Sequence, residues 1–340
     1  MSVIAKRSEE ITDEMWQKVN KFNRDLVKEF MESKIELSEK SKIQYDSSLR
    51  IFFWWVYENL NNKNCVDIKK KEFIKYLNWL TNRGLSESAI KLKKSVISSF
   101  CNYIMEYYED EYPTFRTFVT SSMKVIQTGY VHEKQPLTTE EYDNLCKKLE
   151  ELEKWQILAW LKFSYSTGCR RAEARQLLKE VVNYSPNVKE IEVTNDNGEK
   201  EKVKSVSYKT HKIRCKGRSV VGKVRQLQFS EDAMNALKKW VDVRGEDDCP
   251  YMFVSIHSDG SVNQVNESAF NDWCSGLLTK LLGRRMHPHL LRESRATNIV
   301  VEEGKSVETA QKLLGHESSE TTVKHYVIRE DTDDADEAFI

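Results

Sequence analysis

A mainly α-helical fold carrying one small antiparallel β-sheet, an α+β arrangement in two domains, follows from three features of the 340-residue chain. Apolar residues recur at helical spacing across residues 25–112 and again from 137 to about 178. Alternation of apolar and polar side chains replaces that spacing between 188 and 230. Short capped helical segments, closed by glycine, return towards the C-terminus.

The N-terminal residues 1–24 read as an amphipathic, polar lead-in. Residues 25–112 read as a helical bundle. In it Leu49, Phe52, Phe53, Val56 and Leu60 recur on one face, and Trp54, Trp55 and Tyr57 make the same helix apolar on most sides. Such a helix is read as core rather than as a platform for stacked bases. A later helix opens at Ser86 or Ser88 and runs through Ile90, Leu92, Val96, Ile97, Phe100 and Ile104. The stretch 113–136 holds Pro113, Gly129 and Pro136 with little periodicity, and is the predicted linker. A helix then starts at a Thr138 or Thr139 cap with acids in its first turn. Ile191-Glu-Val and Val203-Lys-Ser-Val-Ser-Tyr alternate around an Asn197-Gly198 turn signal, and Arg225-Gln-Leu-Gln-Phe alternates again. This predicts a sheet of about three strands inserted between helices. Ser230 and Asp232 restart helix, and the remainder is predicted to be mainly helical.

Composition narrows the function classes. Hydrophobic residues make up 39% and charged residues 31%, polar for a membrane protein but apolar enough for packed cores. No apolar run is long enough to span a bilayer, and MSVIAKRSEEITDEMW lacks the apolar centre of a signal peptide. Seven cysteines stand at 65, 101, 146, 169, 215, 249 and 274, an odd number without a Cys-x-x-Cys pair. That pattern predicts free thiols in a reducing cytoplasm rather than a disulfide framework or a zinc knuckle.

The formal net charge is zero, with 53 bases and 53 acids, but the charges are segregated. Residues 330–340 hold six acids and no base, leaving 53 bases against 47 acids in the rest. Residues 202–225 hold nine Lys or Arg and no acid, a density that attracts phosphates. A solvated charged hairpin would look the same, so charge alone does not decide between the two.

Residues 287–327 carry the chemistry: HPHLLRESRATNIVVEEGKSVETAQKLLGHESSETTVKHYV. Three short helices can be drawn. The first starts at Pro288 and stops by Gly304, the second runs from a Ser306 cap to Gly315, and the third starts near Ser318 or Ser319 and carries Tyr326. His289 and Arg292, three apart, are predicted to share a helix face. Arg offers a fork of donors to phosphate oxygens, His moves protons near neutral pH, and a Tyr can be a nucleophile. Singly, each residue reads as a surface or packing group. The ordered string H-x-x-R, L-L-G-H, Y is specific.

This segment resembles the active-site box of tyrosine site-specific recombinases, the phage-integrase and Xer-type family. Upstream, Ser166-Thr-Gly-Cys-Arg170-Arg-Ala-Glu173 is similar to the family's T-G-x-R-x-x-E segment. The bundle before Pro113 resembles its helical, SAM-like core-binding domain. The resemblance spans about residues 25–328, with 137–328 as catalytic domain and 329–340 as an acidic tail. One departure is Glu293, where the family commonly has His.

The resemblance implies that Arg170 and Arg292 clamp the scissile phosphate. Tyr326 would attack phosphorus to form a 3′-phosphotyrosyl bond, with His289 as base and His316 completing the pocket. The family's leaving-group acid, a hairpin Lys, matches Lys216 best, with Lys209, Lys212 and Lys223 as alternatives. Lys209, Lys212, Arg214, Arg218, Lys223 and Arg225 are the candidate DNA contacts; Glu173 is read as structural support, and Arg171 and Arg295 as DNA contacts or surface groups. His287 and His289 lack the further Cys or acid that a metal site would need. Implied partners are double-stranded DNA, three further copies of the chain in a synaptic tetramer, and accessory DNA-bending or directionality factors. No cofactor, metal or ATP is implied, since the phosphotyrosyl bond conserves the phosphodiester energy; the implied location is cytoplasmic, at the nucleoid. The implied function is integration or excision of a phage or other mobile element. A catalytically silent DNA-binding regulator and a type IB topoisomerase are the alternatives. The resemblance also implies a segment after the nucleophile that docks on a neighbouring copy, which the apolar end Ala338-Phe339-Ile340 fits; a frayed terminus is the alternative.

Overall fold

Thr12, Asn20, Ser38 and Ser86 each accept a first-turn backbone N–H, and so start four of the N-terminal helices. These are α1 (Asp13–Lys18), α2 (Lys21–Ser33), α3 (Glu39–Asn59) and, after α4 (Lys70–Asn82), α5 (Glu87–Tyr107). The computed structural model describes residues 10–120, 123, 135–194, 200–215 and 223–315. It divides into two units, Met1–His132 and Glu133–Ile340.

Aromatic rings fill the centre of the first unit. Phe52 lies 5.0 Å from Tyr76 and 5.9 Å from both Phe73 and Phe118, ring centre to ring centre. Leu49, Phe52, Phe53, Trp55 and Val56 of α3 are all buried, so this aromatic helix is core. Burying each such side chain contributes on the order of 1.5–3 kcal/mol. Trp16 and Val19, from the stretch read as lead-in, belong to the same core. So do Phe115, Phe118 and Val119 from the stretch read as linker, because their apolar surface has the bundle to bury against.

The second unit opens with α6 (Thr139–Glu151), where Thr138 and Glu141 form a reciprocal capping box. It continues through α7 (Trp155–Thr167) and the short α8 (Arg171–Ala174). Strands β1 (Asn187–Thr194), β2 (Lys200–Lys209), β3 (Ile213–Cys215), β4 (Lys223–Arg225) and β5 (Gln228–Ser230) follow. Then come α9 (Glu231–Arg244), β6 (Val254–Ile256), β7 (Val262–Gln264) and α10 (Glu267–Trp273). A π-helical turn, Cys274–Leu278, joins α10 to α11 (Thr279–Leu282), and α12 (Pro288–Val301) and α13 (Val307–Leu314) complete the described chain.

The α+β class holds, but the strands are more divided than the sequence suggests. Among the described residues all strand pairs are antiparallel, in three separate sheets: β1-β2-β5, β3-β4 and β6-β7. The alternation over 225–229 is not one strand. Arg225 ends β4 against Ile213, while Gln228 begins β5 against Lys209. Buried Leu227 and Phe229 keep the period across the break, which hid it. The β6-β7 hairpin lies in the stretch expected to be mainly helical; its three-residue strands are too short to show a period. The second core gathers Trp160, Phe163, Phe229, Phe253 and Phe270, with Trp160 and Phe270 stacked at 5.3 Å. No described helix is long and apolar enough to cross a membrane.

Candidate functional site

Helix α7 stops at Gly168, whose φ of +57° is a left-handed conformation that glycine adopts without strain. Two residues on, Arg170 stands extended at the start of α8. The carboxylate of Glu173 reaches back to it. Glu173 Oε2 accepts the Arg170 backbone N–H at 3.2 Å, and Oε1 accepts a guanidinium N–H at 3.0 Å. Glu173 is 1% exposed, whereas the Arg170 side chain keeps 32% of its surface open. The buried acid thus aims a cation that remains available.

Helix α12 supplies the facing wall. Pro288 occupies its first turn, and His287 Nδ1 accepts the Leu290 N–H at 3.1 Å. His289 stands beside it, open to solvent but with its ring partly covered by protein. Arg292 is fully buried, so the two residues do not present one common surface. Its guanidinium donates to the Gly168 carbonyl and, at 2.9 Å, to the Leu314 carbonyl. Arg292 therefore joins the end of α7 to the end of α13. Ser294 and Asn298 clip the same helix to Leu137, through its N–H at 2.7 Å and its carbonyl at 3.0 Å.

Between these walls lies a cavity of about 340 Å³ lined by Cys169, Arg170, Arg171, Asn271, His287, Pro288 and His289. Its electrostatics suit an anion and a proton acceptor. Desolvation is the chief influence on His289, and it outweighs the opposing pull of Glu293. With Arg292, Arg170 and His287 acting in the same sense as burial, the ring is held below its ordinary pKa and is neutral at pH 7. His287 is lowered in the same way. Cys169 is buried and pushed up to about 12, with Glu173 adding to the effect, so its thiol stays protonated. It is not a thiolate nucleophile.

The β3-β4 ribbon is docked on α8. Gln176 accepts the Arg214 N–H at 3.1 Å and donates to the Arg214 carbonyl at 2.9 Å. Lys209, Lys212, Arg214 and Lys223 are exposed. Arg225 is not among the exposed bases: it donates to the Leu313 carbonyl at 2.9 Å and lies 3.5 Å from Glu173.

The structure thus gathers Arg170 and His289 at one cavity and ties Arg292 to its rim through Gly168. Lys216, Arg218, His316, Tyr326 and the acidic tail lie outside the described residues. Two cavity residues escaped the sequence reading. Asn271 sits on α10 with no local motif to mark it, and in the sequence His287 reads only as a candidate metal ligand. The His-Pro pair at a helix start was the available signal for His287. A larger cleft, of about 570 Å³, lies in the first unit between Trp16, Asp25, Lys28 and Arg50, away from every candidate residue.

Residues 135–332 match the phage integrase family, and residues 26–106 match its N-terminal SAM-like domain. The chain is 34% identical over 336 residues to the SPbeta prophage-derived recombinase-like protein YomM of Bacillus subtilis, covering 97% of this chain and 95% of that one. It is 23% identical to the tyrosine recombinase XerC of Listeria innocua, over 89% and 92% of the two chains. Among solved structures, the XerH site-specific recombinase bound to palindromic difH substrate aligns with a TM-score of 0.65 at 18% identity, covering 98% of this chain and 90% of that one. The Tn1549 transposon integrase in complex with transposon right end DNA aligns with a TM-score of 0.64 at 15% identity, over 94% and 99%.

Proposed function

The chain belongs to the phage integrase family of tyrosine recombinases, and from that premise we propose that it cuts and rejoins duplex DNA at specific sites to integrate or excise a phage or other mobile element. The reaction proceeds through a 3′-phosphotyrosyl bond to Tyr326 and a Holliday junction, within a homotetramer. One observation carries the reading. Arg170 and Arg292, 122 positions apart in the chain, meet at the end of α7: Arg292 donates to the Gly168 carbonyl, and Arg170, two residues after Gly168, lines a cavity with a neutral His289.

The chemistry follows from the parts. Attack on a phosphodiester needs charge neutralisation, an in-line nucleophile and an acid for the leaving oxygen. Arg170 and Arg292 supply the first. Tyr326 supplies the second; a phenol of pKa about 10 is a weak nucleophile at pH 7 unless a base takes its proton. His289 is that base, and His316 completes the phosphate pocket. Lys216 protonates the departing 5′-oxygen. No step calls for a metal or ATP. The protein acts in the cytoplasm at the nucleoid, and the apolar end of its acidic tail docks on a neighbouring copy to couple assembly to cleavage.

Suicide-substrate trapping tests the reading. Wild type and Tyr326→Phe are incubated with nicked duplex carrying the site from the flanks of the gene. A covalent adduct on a denaturing gel, lost in the Phe variant, is expected. Tight binding with no adduct from wild type would point instead to a catalytically silent regulator. Relaxation of supercoiled DNA without site preference would point to a type IB topoisomerase.

A further inference from the structure

We propose that Arg225 is a positioning residue of the cleavage site and not a contact to the DNA backbone; this rests on the recombinase reading above. Its place in the sequence, at the end of a run of nine bases without an acid, suggests a phosphate contact. Its surroundings are of a different kind. All three guanidinium nitrogens face protein: Nη1 donates to the Leu313 carbonyl at 2.9 Å, Nε lies 3.4 Å from the Cys215 sulfur, and Nη2 lies 3.5 Å from the Glu173 carboxylate. Gly315 lies close against the same group. A Cβ there would come within 2.4 Å of Nη1 and 2.7 Å of the central carbon. These contacts hold the guanidinium between Glu173 and the end of α13, with 23% of the side chain still open.

The contacts explain what it does. Glu173 is 1% exposed and is shared between two guanidinium groups, Arg170 and Arg225. A buried carboxylate neutralised only by Arg170 would draw that side chain inward and weaken its field at the cavity. Arg225 takes part of the charge, so that Arg170 is oriented without being fully paired. At its other end Arg225 satisfies a carbonyl in the last turn of α13, where a cation also complements the helix dipole. That turn runs directly into His316 through Gly315, whose φ is +67°. Arg225 therefore sets two things at once, the aim of Arg170 and the position of the last turn of α13.

The test compares wild type, Arg225→Gln and Arg225→Lys as full-length chains, each checked by thermal melting. Duplex affinity is measured across a salt series, the adduct rate at saturating nicked DNA, and backbone hydrogen exchange at Leu314 and Gly315 without DNA. The Gln variant is expected to keep wild-type affinity and salt slope, to lose adduct rate by about a hundredfold, as a small misplacement of a catalytic group does, and to exchange faster at α13. The Lys variant keeps a charge near Glu173 but cannot also span to Leu313, and should recover part of the rate. It carries the comparison if the Gln variant melts at the assay temperature. A salt slope reduced by about 0.9 with the saturated rate unchanged would make Arg225 a phosphate contact and overturn the proposal. Wild-type rate and wild-type exchange together would also overturn it. If wild type itself forms no adduct, the recombinase reading fails separately, and hydrogen exchange alone decides whether Arg225 holds α13.

Discussion

Arg225 and Arg292 donate to consecutive carbonyls, Leu313 and Leu314, at the C-terminal end of α13, each at 2.9 Å. One cation comes from a β-ribbon and the other from a helix. Together they close a loop of contacts: Gly168 to Arg292, Arg292 to Leu314, then Leu313 to Arg225, Arg225 to Glu173, and Glu173 to Arg170. Residues proposed to act together on one phosphate are thus already coupled before any DNA arrives.

Arg292 is therefore expected to stabilise the fold as well as serve the reaction. Its removal in Arg292→Ala strands the Gly168 and Leu314 carbonyls in a buried site, at a cost of about 1–3 kcal/mol for each unsatisfied acceptor. The urea midpoint of the transition that reports on the second unit should fall accordingly, measured by tryptophan fluorescence. A midpoint equal to wild type would show that Arg292 has no structural role, and any loss of activity would then be purely chemical.

Gly315 and Gly260 make a matched pair. Both have positive φ, +67° and +82°, so alanine is strained at either by about 1–3 kcal/mol. At Gly260 a Cβ meets nothing within 4 Å, while at Gly315 it would lie 2.4 Å from Arg225. Arg225 cannot give way without leaving Leu313 and Glu173. Gly315→Ala should lower the melting temperature more than Gly260→Ala and also slow adduct formation. Equal shifts for the two would mean that the Arg225 packing contributes nothing.

His289 predicts a pH limb with a definite sign. Desolvation holds its pKa below the ordinary 6.5, so it is neutral, and able to accept a proton, at pH 7. At subsaturating DNA the adduct rate reports the free protein, and should rise with pH through a limb centred below 6.5 and then level off. His289→Gln should lose the limb and about 10²-fold or more of the rate. The stability consequence runs in the same direction. Below pH 6.5 the unfolded chain binds the proton more readily than the folded one, so stability falls as pH drops and flattens below the folded pKa. A limb centred above 6.5 would contradict the assignment.

The sequence made the chemistry legible where local rules operate. Gly168, Gly315, Pro288 and Ser306 terminate or start helices for reasons that a few neighbouring residues contain, and the structure places all four at such ends. The division of 213–230 into two sheets was not legible, because Leu227 and Phe229 stay in period across the break. The partners of Arg225 were hidden for a different reason. Glu173 and Leu313 lie 52 and 88 positions away, and a cation's tertiary partner leaves no mark on its own neighbourhood. By composition Arg225 is one more base in a basic run, and only packing separates it from Lys212.

That separation yields a contrast along the ribbon. Lys209 and Lys212 are exposed and flank the buried Ile213 strand, where phosphates can reach them without desolvating anything else. Each phosphate that a side chain neutralises releases condensed counterions, so the logarithm of affinity should fall with the logarithm of salt at about 0.9 per contact. Lys209→Gln and Lys212→Gln should therefore each flatten the slope by about one unit, and their effects should add, since they touch different phosphates. The loss should be the same for specific and arbitrary duplexes, because backbone contacts carry no sequence information. Fluorescence anisotropy with one labelled duplex of each kind, from low to moderate salt, measures this directly. Slopes unchanged in both variants would remove these lysines from the DNA interface and leave the basic run as a solvated face.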